Sequence, residues 1–354
     1  MTTITKNIKM QLQCPMPKLD FEVITLGHGS GGTLTNKLLD SGVFDLLNND
    51  ILEERHDGAF LNLSGKTAFS TDSFIVSPVF FPGGNIGELA VNGTVNDLTM
   101  CGAVPQYLSL SFIIEEGLKM TEFWDILVSI KAASERAGVK IVTGDTKVVE
   151  KGKGDKIFIN TSGVGQVHAQ ANISKNNIRE GDQIIVSGNI ATHGMAIMSV
   201  REGLEFETQI VSDTTNLNHT VISLIEQFGD QIHWLTDPTR GGVATVLKEV
   251  ATAANIGIDL RQKSMPMDAQ VASACELLGL DPLYVANEGL FIAFVASEIA
   301  DDFVRQLRTL ENGQNAQCIG QVVANHPKQV ILESAIGGKR VVNMLPGEQL
   351  PRIC

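Results

Sequence analysis

The alternation of short apolar runs with longer segments of helical spacing constrains the fold of this chain more than any other feature. Residues 86–100 and 121–137 carry apolar side chains at helical spacing, and the second segment ends before Gly138. Apolar runs at 106–114 and 140–143 follow these helices and have the length of buried strands. The sequence therefore predicts packed layers of helix and sheet, an α/β (α+β) fold.

A chain of 354 residues is longer than one hydrophobic core usually organises, so we expect two domains. The pattern places an N-terminal extension at 1–20, an N-terminal domain at 21–170 and a C-terminal α/β domain at 171–333. A tail follows at 334–354. Prolines and glycines near its end discourage helix and strand, so the tail is predicted to be a mobile, extended arm.

Charge and composition exclude several classes of function. The net charge of -13 argues against an electrostatic grip on nucleic acid or on an anionic membrane surface. No uninterrupted apolar stretch approaches the length of a membrane span, and the first residues lack an apolar run followed by a cleavage site. The five cysteines are odd in number and lack metal-ligand spacing, which fits a reducing compartment. We therefore expect a cytoplasmic protein that binds neither nucleic acid nor membranes.

A glycine-rich loop, residues 27–32, follows a strand-like run at 21–26. Its glycines lack a Cβ atom, so their backbone amides can approach phosphate groups closely. Gly27, Gly29 and Gly32 also satisfy the G-x-G-x-x-G pattern of dinucleotide-binding folds, although this match is weak on its own. The loop therefore predicts a phosphate site, and a loop that is merely flexible is the open alternative.

Four aspartates follow predicted strands or lie within predicted helices, where apolar residues surround them. A carboxylate in such surroundings is costly unless it is neutralised. Together these acids could bind Mg²⁺, a hard ion that takes carboxylate and phosphate oxygens. For each acid alone, capping of a turn or helix is the alternative. The predicted metal ligands are Asp57, Asp72, Asp97 and Asp145.

Two further residues lie at positions that suggest chemistry. Glu288 precedes an apolar run at 290–295, where a carboxyl group is expected to have a perturbed pKa. Cys354 is the last residue, so its sulfur is reachable from many directions. A lone terminal cysteine in a cytosolic protein is often incidental. Only a nucleotide site elsewhere in the chain would give this thiol a substrate-carrying role.

A series of motifs occurs in a characteristic order along the chain. They are 28–32 (His-Gly-Ser-Gly-Gly), 70–73 (Ser-Thr-Asp-Ser), 80–84 (Phe-Phe-Pro-Gly-Gly), 92–98 (Asn-Gly-Thr-Val-Asn-Asp-Leu), 144–147 (Gly-Asp-Thr-Lys), 237–242 (Asp-Pro-Thr-Arg-Gly-Gly) and 351–354 (Pro-Arg-Ile-Cys). Together they resemble the HypE family of hydrogenase maturation factors, also called carbamoyl dehydratases, over nearly the whole chain from about Phe21. That family belongs to the aminoimidazole ribonucleotide synthetase superfamily. The resemblance implies two α/β domains that dimerise through the N-terminal, ATP-binding one, and it removes the dinucleotide-binding option.

The resemblance implies an ATP-dependent dehydration of a carbamoyl group that Cys354 carries as a thiocarboxamide, with a thiocyanate as the product. Glu288 would be the base that removes the nitrogen proton. Lys147 would polarise the carbamoyl oxygen or hold the carboxylate. Mg²⁺ at the four aspartates would offset the charge of the ATP phosphates. The implied ATP-binding residues are His28, Gly29, Ser30, Gly31, Gly32, Asn96, Thr143 and Gly144.

The resemblance also implies partners. The carbamoyltransferase HypF would load the thiol, and a HypC–HypD complex would receive the cyanide for the iron of a NiFe-hydrogenase, with the chain itself a homodimer. A small-molecule kinase or an ATP-dependent ligase of the same superfamily is the alternative enzyme, and it would not need Cys354. A non-catalytic carrier of a modified thiol is the alternative from another class, and it would not turn over ATP.

Overall fold

The structure is a computed structural model. The residues that it describes are 21–204, 209–345, 347, 350 and 352–354. The predicted N-terminal extension 1–20 lies outside the described residues, as does Pro351 of the terminal motif. Within those described ranges, no helix is both long enough and apolar enough to cross a bilayer.

The first domain has a four-stranded sheet with two long helices across one face. Its elements are α1 (Thr33–Leu38), α2 (Asp45–Leu47), β1 (Thr67–Phe74), β2 (Phe80–Phe81), β3 (Gly84–Asn85), α3 (Ile86–Met100), β4 (Ala103–Glu115), α4 (Met120–Ala137), β5 (Lys140–Val149) and β6 (Ile157–Val167). The strand order is β1-β6-β4-β5, in which the β4–β5 pair is parallel and the other pairs are antiparallel. The helices and strands predicted between residues 86 and 143 are confirmed, and β5 continues to Val149.

Helix α3 is buried on nearly all sides because it lies between the sheet of its own domain and the second domain. The Asn85 side chain caps its start by accepting the N–H of Gly87 at 2.8 Å. Near its other end, Asn96 donates to the carbonyl of Thr215 at 3.0 Å and accepts the N–H of Leu217 at 2.8 Å. The polar side chain of Asn96 therefore joins the two domains.

The opposite face of the first sheet is exposed along β1 and β4. Phe69 on β1 is 68% exposed, and Ile113 on β4 is 47% exposed. Their strand neighbours on the helix-covered face, such as Phe74 and Leu108, are buried. This alternation is typical of a sheet that packs one face on its own core and leaves the other for a further layer.

The second domain is a seven-stranded sheet with helices. Its elements are β7 (Gln183–Val186), α5 (Thr192–Arg201), α6 (Asn218–Phe228), β8 (Ile232–Thr236), α7 (Gly242–Ala254), β9 (Gly257–Arg261), α8 (Ala269–Leu278), β10 (Ile292–Val295), α9 (Ala300–Leu307), β11 (Gln317–Val323), β12 (Val330–Glu333) and β13 (Lys339–Val342). The strand order is β13-β12-β9-β11-β7-β10-β8. Every residue of β10 is buried, which explains its uninterrupted apolar sequence. The predicted domain division at 170 and 171 lies between β6 and β7 and stays a prediction.

The tail differs from the predicted mobile arm. Strand β13 falls within it and pairs with β12 in an antiparallel hairpin, because Val342 is buried in the core of the second domain. The end of the tail then returns to the gap between the domains, where Ile353 is only 2% exposed. Burial of this side chain stabilises a docked tail, which the local sequence gave no reason to expect.

Candidate active site

A cleft of about 610 Å³ lies between the domains and receives the end of the chain. The turn from β8 into α7 forms one wall, because Gly241 and Gly242 adopt left-handed conformations (φ 75° and 60°) that allow a sharp change of direction. We name this cavity the tail cleft. Its lining includes Ile75, Asp237, Arg240, Tyr284, Ala286 and Cys354.

Cys354 is partly buried in the tail cleft, and its sulfur lies against Glu288. Burial raises the pKa of Cys354 far above its ordinary value, and both the charge of Glu288 and a hydrogen bond between the two side chains raise it further. Arg240 acts in the opposite direction, because a nearby positive charge favours the thiolate. The docked sulfur is therefore a neutral thiol at physiological pH.

The surroundings of Glu288 disfavour a charge on its carboxyl group. Burial raises the pKa of Glu288 well above its ordinary value, and the negative charges of Asp213 and Asp237 raise it further. Its Oε1 has no hydrogen-bond partner among the described residues. These surroundings therefore favour the protonated form of Glu288, which can donate a proton but cannot accept one.

Two neighbouring acids share these surroundings. Burial raises the pKa of Asp237 to about 7, and the charges of Asp97 and Asp72 add to the effect. Burial also raises the pKa of Asp213 to about 6, although the backbone N–H of Glu288 donates to its carboxylate at 3.2 Å. Acids that raise one another's pKa values in this way are groups that a hard cation would stabilise.

Two of the four predicted metal ligands belong to this group of acids, and two do not. Burial raises the pKa of Asp97 on α3, and the charge of Asp72 on β1 raises it further, while Ser70 donates to Asp97 at 2.7 Å. Asp57, before β1, and Asp145, on β5, are both exposed. Among the described residues, no three His, Cys, Asp or Glu side chains are arranged to hold a metal ion. Asp72 and Asp97 fit a hard cation by their chemistry, and the full set of four stays a prediction.

A second cavity, of about 210 Å³, lies in the first domain beneath the glycine loop. We name it the glycine-loop pocket. Its floor is apolar and includes Leu39, Val43, Phe44, Leu110, Phe112 and Ile141. Its rim is polar and includes Gly29, Gly31, Thr143, Gly144, Asp145 and Lys147. An apolar floor with backbone amides and a cation at the rim suits a ligand that combines a flat ring with phosphates.

Lys147 lies at the rim of this pocket rather than in the tail cleft. Its Nζ contacts Asp145 Oδ1 at 2.5 Å, and this exposed ion pair lowers the pKa of Asp145. By contrast, the charges that shift the pKa of Cys354 come from Glu288, Arg240 and Asp72. The structure thus places Glu288 with the thiol and Lys147 with the glycine loop.

Two glycines of the loop are required by its shape. A Cβ atom on Gly29 would lie 2.4 Å from the backbone nitrogen of Val148, which is too close for any side chain. Gly31 has φ 78°, a conformation that favours glycine. Gly32 differs from both, because a Cβ there would meet only the hydroxyl of Ser30, at 3.9 Å.

Three predicted ATP-binding residues have protein partners in this structure. His28 is buried, its Nδ1 accepts the backbone N–H of Thr25 at 3.0 Å, and burial lowers its pKa. Ser30 donates to the carbonyl of Gly27 at 3.0 Å. Asn96 makes the bonds between domains described above. These side chains hold the loop and the domains in place, and their contacts with ATP stay predictions.

Sequence reasoning missed Asp213, His193 and Arg201. Helix α6 begins only at Asn218, so Asp213 lies on an irregular segment beside Glu288. His193 and Arg201 belong to α5 and contact the main chain of the docked tail. A contact between residues so distant in sequence leaves no local pattern. The only signal for His193 and Arg201 was that they are polar residues within an apolar helix.

Comparison with known proteins shows which protein family has this arrangement of domains and residues. Two family models match, described as AIR synthase related protein, N-terminal domain, at residues 55–167, and AIR synthase related protein, C-terminal domain, at residues 179–333. The carbamoyl dehydratase HypE of Rhizobium leguminosarum bv. viciae is 47% identical over 332 residues, which cover 94% of this chain and 95% of that protein. The chain belongs to the carbamoyl dehydratase HypE family.

Solved structures of HypE proteins have the same two-domain α/β fold. The hydrogenase maturation protein HypE in complex with ATP is 45% identical, with a TM-score of 0.89 over 93% of this chain and 99% of that one. HypE in a HypE–HypF complex is 43% identical, with a TM-score of 0.77 over 89% of this chain and 100% of that one. The predicted family and fold class are thereby confirmed.

Proposed function

We propose that this chain dehydrates a carbamoyl group, carried as a thiocarboxamide on Cys354, to a thiocyanate in an ATP-dependent reaction. The thiocyanate supplies cyanide ligands for the iron of a NiFe-hydrogenase during its maturation. The observation that carries the proposal is the position of the terminal sulfur, which lies in the tail cleft hydrogen-bonded to the carboxyl group of Glu288. An incidental terminal thiol would not need a partner of this kind. Membership of the HypE family favours this reaction over that of a kinase or ligase.

The reaction must convert an amide oxygen, a poor leaving group, into a good one. ATP, when bound, supplies a phosphoryl group for that oxygen, and Mg²⁺ offsets the charge of the phosphates. The bond between carbon and this oxygen then breaks, both protons leave the nitrogen, and a triple bond forms between carbon and nitrogen. The balance is complete, since one carbamoyl group and one ATP give one cyano group, ADP, hydrogen phosphate, which keeps one of the two protons, and one released proton.

We assign removal of the nitrogen protons to Glu288, because its carboxyl group contacts the sulfur that carries the carbamoyl group. Burial favours the protonated form of Glu288, which must ionise before it can act as a base. Positive charge beside Asp72 and Asp97 would lower the pKa of Glu288, since both acids now raise it. Neutral Glu288 therefore holds the thiol, and ionised Glu288 accepts the proton.

We assign the phosphates of ATP to the glycine-loop pocket. The close approach of Gly29 to Val148, the left-handed turn at Gly31 and the charge of Lys147 support this assignment. In this position Lys147 would contact phosphate oxygens rather than the carbamoyl oxygen. The predicted Mg²⁺ ligands would be the partly buried acids Asp72 and Asp97 together with the exposed acids Asp57 and Asp145.

The partners follow from the reaction. We propose that HypF loads the thiol, because a HypE of the same fold forms a complex with HypF. A HypC–HypD complex would receive the cyanide. The exposed sheet face that carries Phe69 and Ile113 supports a homodimer formed through the first domain. The cytoplasm is the proposed compartment.

Intact mass spectrometry tests the proposal. The protein is first loaded by its carbamoyltransferase and then given Mg-ATP, with Cys354→Ala and Cys101→Ala run in parallel. We expect the wild type to gain the mass of one carbamoyl group and then to lose one water only after ATP is added. Cys101→Ala should behave as the wild type, because Cys101 is a free thiol on the surface. A modified Cys354→Ala protein would refute the proposal, and so would loading without ATP-dependent loss of water.

A further inference from the structure

Every main-chain carbonyl of the last three residues accepts a hydrogen bond. Two of the donors belong to the loop that follows β1 in the first domain. The N–H of Ile75 donates to the carbonyl of Cys354 at 3.2 Å, and the N–H of Ser77 donates to the carbonyl of Arg352 at 3.3 Å. The tail therefore lies along this loop much as an added strand lies along a sheet edge.

Helix α5 of the second domain holds the same segment from the other side. His193 is completely buried near its first turn. Its Nε2 is 2.9 Å from the carbonyl oxygen of Ile353, and its Nδ1 is 2.7 Å from the hydroxyl of Ser212. A carbonyl can only accept, so Nε2 carries the proton and Nδ1 accepts from the hydroxyl. This pair of contacts fixes the imidazole in one tautomer and one orientation.

Arg201, the last residue of α5, completes the arrangement. Its guanidinium group donates to the carbonyl of Arg352, and its Nε donates to the carbonyl of Ser77 at 2.5 Å. Arg201 therefore ties the tail and the loop of the first domain to the second domain at once. Arg352 itself has φ 56°, a conformation that non-glycine residues rarely adopt, and these bonds hold it there.

We propose that His193 and Arg201 are positioning residues that clamp the carrier tail by its main chain and so bring the Cys354 sulfur to Glu288. The proposal deepens the function proposed above and rests on it for the group that the sulfur carries. Because the clamp bonds to carbonyl groups, it holds the free thiol and the loaded sulfur alike. The clamp therefore does not distinguish between groups on the sulfur, and any such selection is made by the residues of the cleft.

The clamp has an opposite effect on the two halves of the reaction cycle. A transferase must reach the sulfur, so loading needs the tail to leave the cleft. Dehydration needs the tail inside the cleft, beside Glu288. A weakened clamp should therefore expose the thiol more often and slow the dehydration of a loaded chain. A residue that only stabilised the fold would not separate these two steps.

The first test is alkylation of the thiols by iodoacetamide, followed by mass spectrometry of the peptides. His193→Leu removes the donor to Ile353, whereas His193→Gln keeps an N–H group near the position of Nε2. We expect alkylation of Cys354 to become about 5- to 10-fold faster in His193→Leu, as for the loss of one buried hydrogen bond, and to stay near the wild-type rate in His193→Gln. Cys101 is exposed and serves as the internal reference.

Arg201→Met provides a second variant, at the end of α5 where the side chain is only partly buried, and the same acceleration is expected. An unchanged rate at Cys354 in both variants would overturn the proposal. Cys275 is buried, so an equal acceleration at Cys275 would also count against the proposal, because it would indicate general loosening of the fold.

The second test uses the loaded protein and Mg-ATP. Dehydration should slow by about the same factor in His193→Leu and Arg201→Met, while loading by the transferase should proceed at least as fast as in the wild type. Slower loading in these variants would contradict the clamp. Failure of the proposed function has a different signature, since the wild type itself would then lose no water, whereas the alkylation rates would still report on the clamp.

Discussion

The tail cleft and the glycine-loop pocket differ in whether their surroundings favour charged side chains. In the cleft, burial raises the pKa of Glu288 well above its ordinary value and that of Asp237 to about 7, so neutral carboxyl groups prevail. At the rim of the pocket, Lys147 lowers the pKa of Asp145, and both groups are charged and exposed. The thiol therefore lies in surroundings that disfavour charge, whereas the glycine loop lies in surroundings that favour it.

The same comparison explains why the four predicted aspartates do not form one group. Asp72 and Asp97 are partly buried and raise the pKa of Glu288, whereas Asp57 and Asp145 are exposed. If both regions serve one reaction, a bound cation and its phosphates must connect them. The reason is that the rim of the pocket favours charged groups, whereas the surroundings of the cleft disfavour them. The predictions below test each region separately.

The largest effect is expected from Glu288→Gln. An amide cannot accept the nitrogen proton, so dehydration of the loaded chain should slow by about 10²- to 10⁴-fold, the usual contribution of a positioned base. The fold should be retained, because burial favours the neutral form of Glu288 and glutamine is neutral and of the same shape. The rate of water loss is measured by intact mass. Glu249→Gln, the same change at an exposed residue that also lines the cleft, is the matched control. Equal rates in both variants would assign the proton to another group.

A smaller effect is expected in the pocket from Gly29→Ala. The new Cβ would lie 2.4 Å from the nitrogen of Val148, so the loop must shift, and we expect ATP to bind about 10-fold more weakly, a difference of roughly 1.4 kcal/mol. Gly32→Ala is the control, because its Cβ has room. Isothermal titration calorimetry measures both. Equal loss of affinity in the two variants would show that the shape of the loop is not what matters.

The smallest effect concerns pH and stability. The pKa of Asp237 is raised in the folded chain, so its contribution to stability is fully present at low pH and is lost as pH rises through about 7. Burial lowers the pKa of His193 to about 4 in the folded chain, from about 6.5 in the unfolded chain. The effect of His193 on the pH dependence of stability is therefore opposite in sign to that of Asp237, and it occurs only below pH 6.5. Between pH 6.5 and 8, without divalent cations, we therefore expect Tm to fall by on the order of one degree. Asp237→Asn should flatten this slope, and an equal slope in the variant would contradict the assignment.

Much of the fold could be predicted from the sequence, because its signals are local. The helical spacing of 86–100 and the stop at Gly138 mark elements whose apolar faces are buried where they form. The docked tail could not be predicted in this way. Its position depends on carbonyl groups that bond to Ser77 and His193, residues far away in the chain, and main-chain bonding leaves no trace in residue type.

The candidate site was predicted only in part for a related reason. The sequence identified Glu288 and Cys354 as separate candidates, and only the fold brings them into contact. Asp213 lies on an irregular segment, where its carboxylate accepts backbone N–H groups at 288 and 289. Tertiary contacts of this kind override local propensity.

The central claim is that the thiol of each chain is dehydrated in the tail cleft of the same chain. Mixing two defective variants tests it most directly. Cys354→Ala keeps an intact cleft without a thiol, and Glu288→Gln keeps the thiol without the base. The two proteins are co-purified, loaded and given Mg-ATP, and the mass of the Glu288→Gln chain is followed. We predict that the mixture loses no more water than Glu288→Gln alone. Recovery of a large share of the wild-type rate would show that the tail enters the cleft of another chain and would contradict this account.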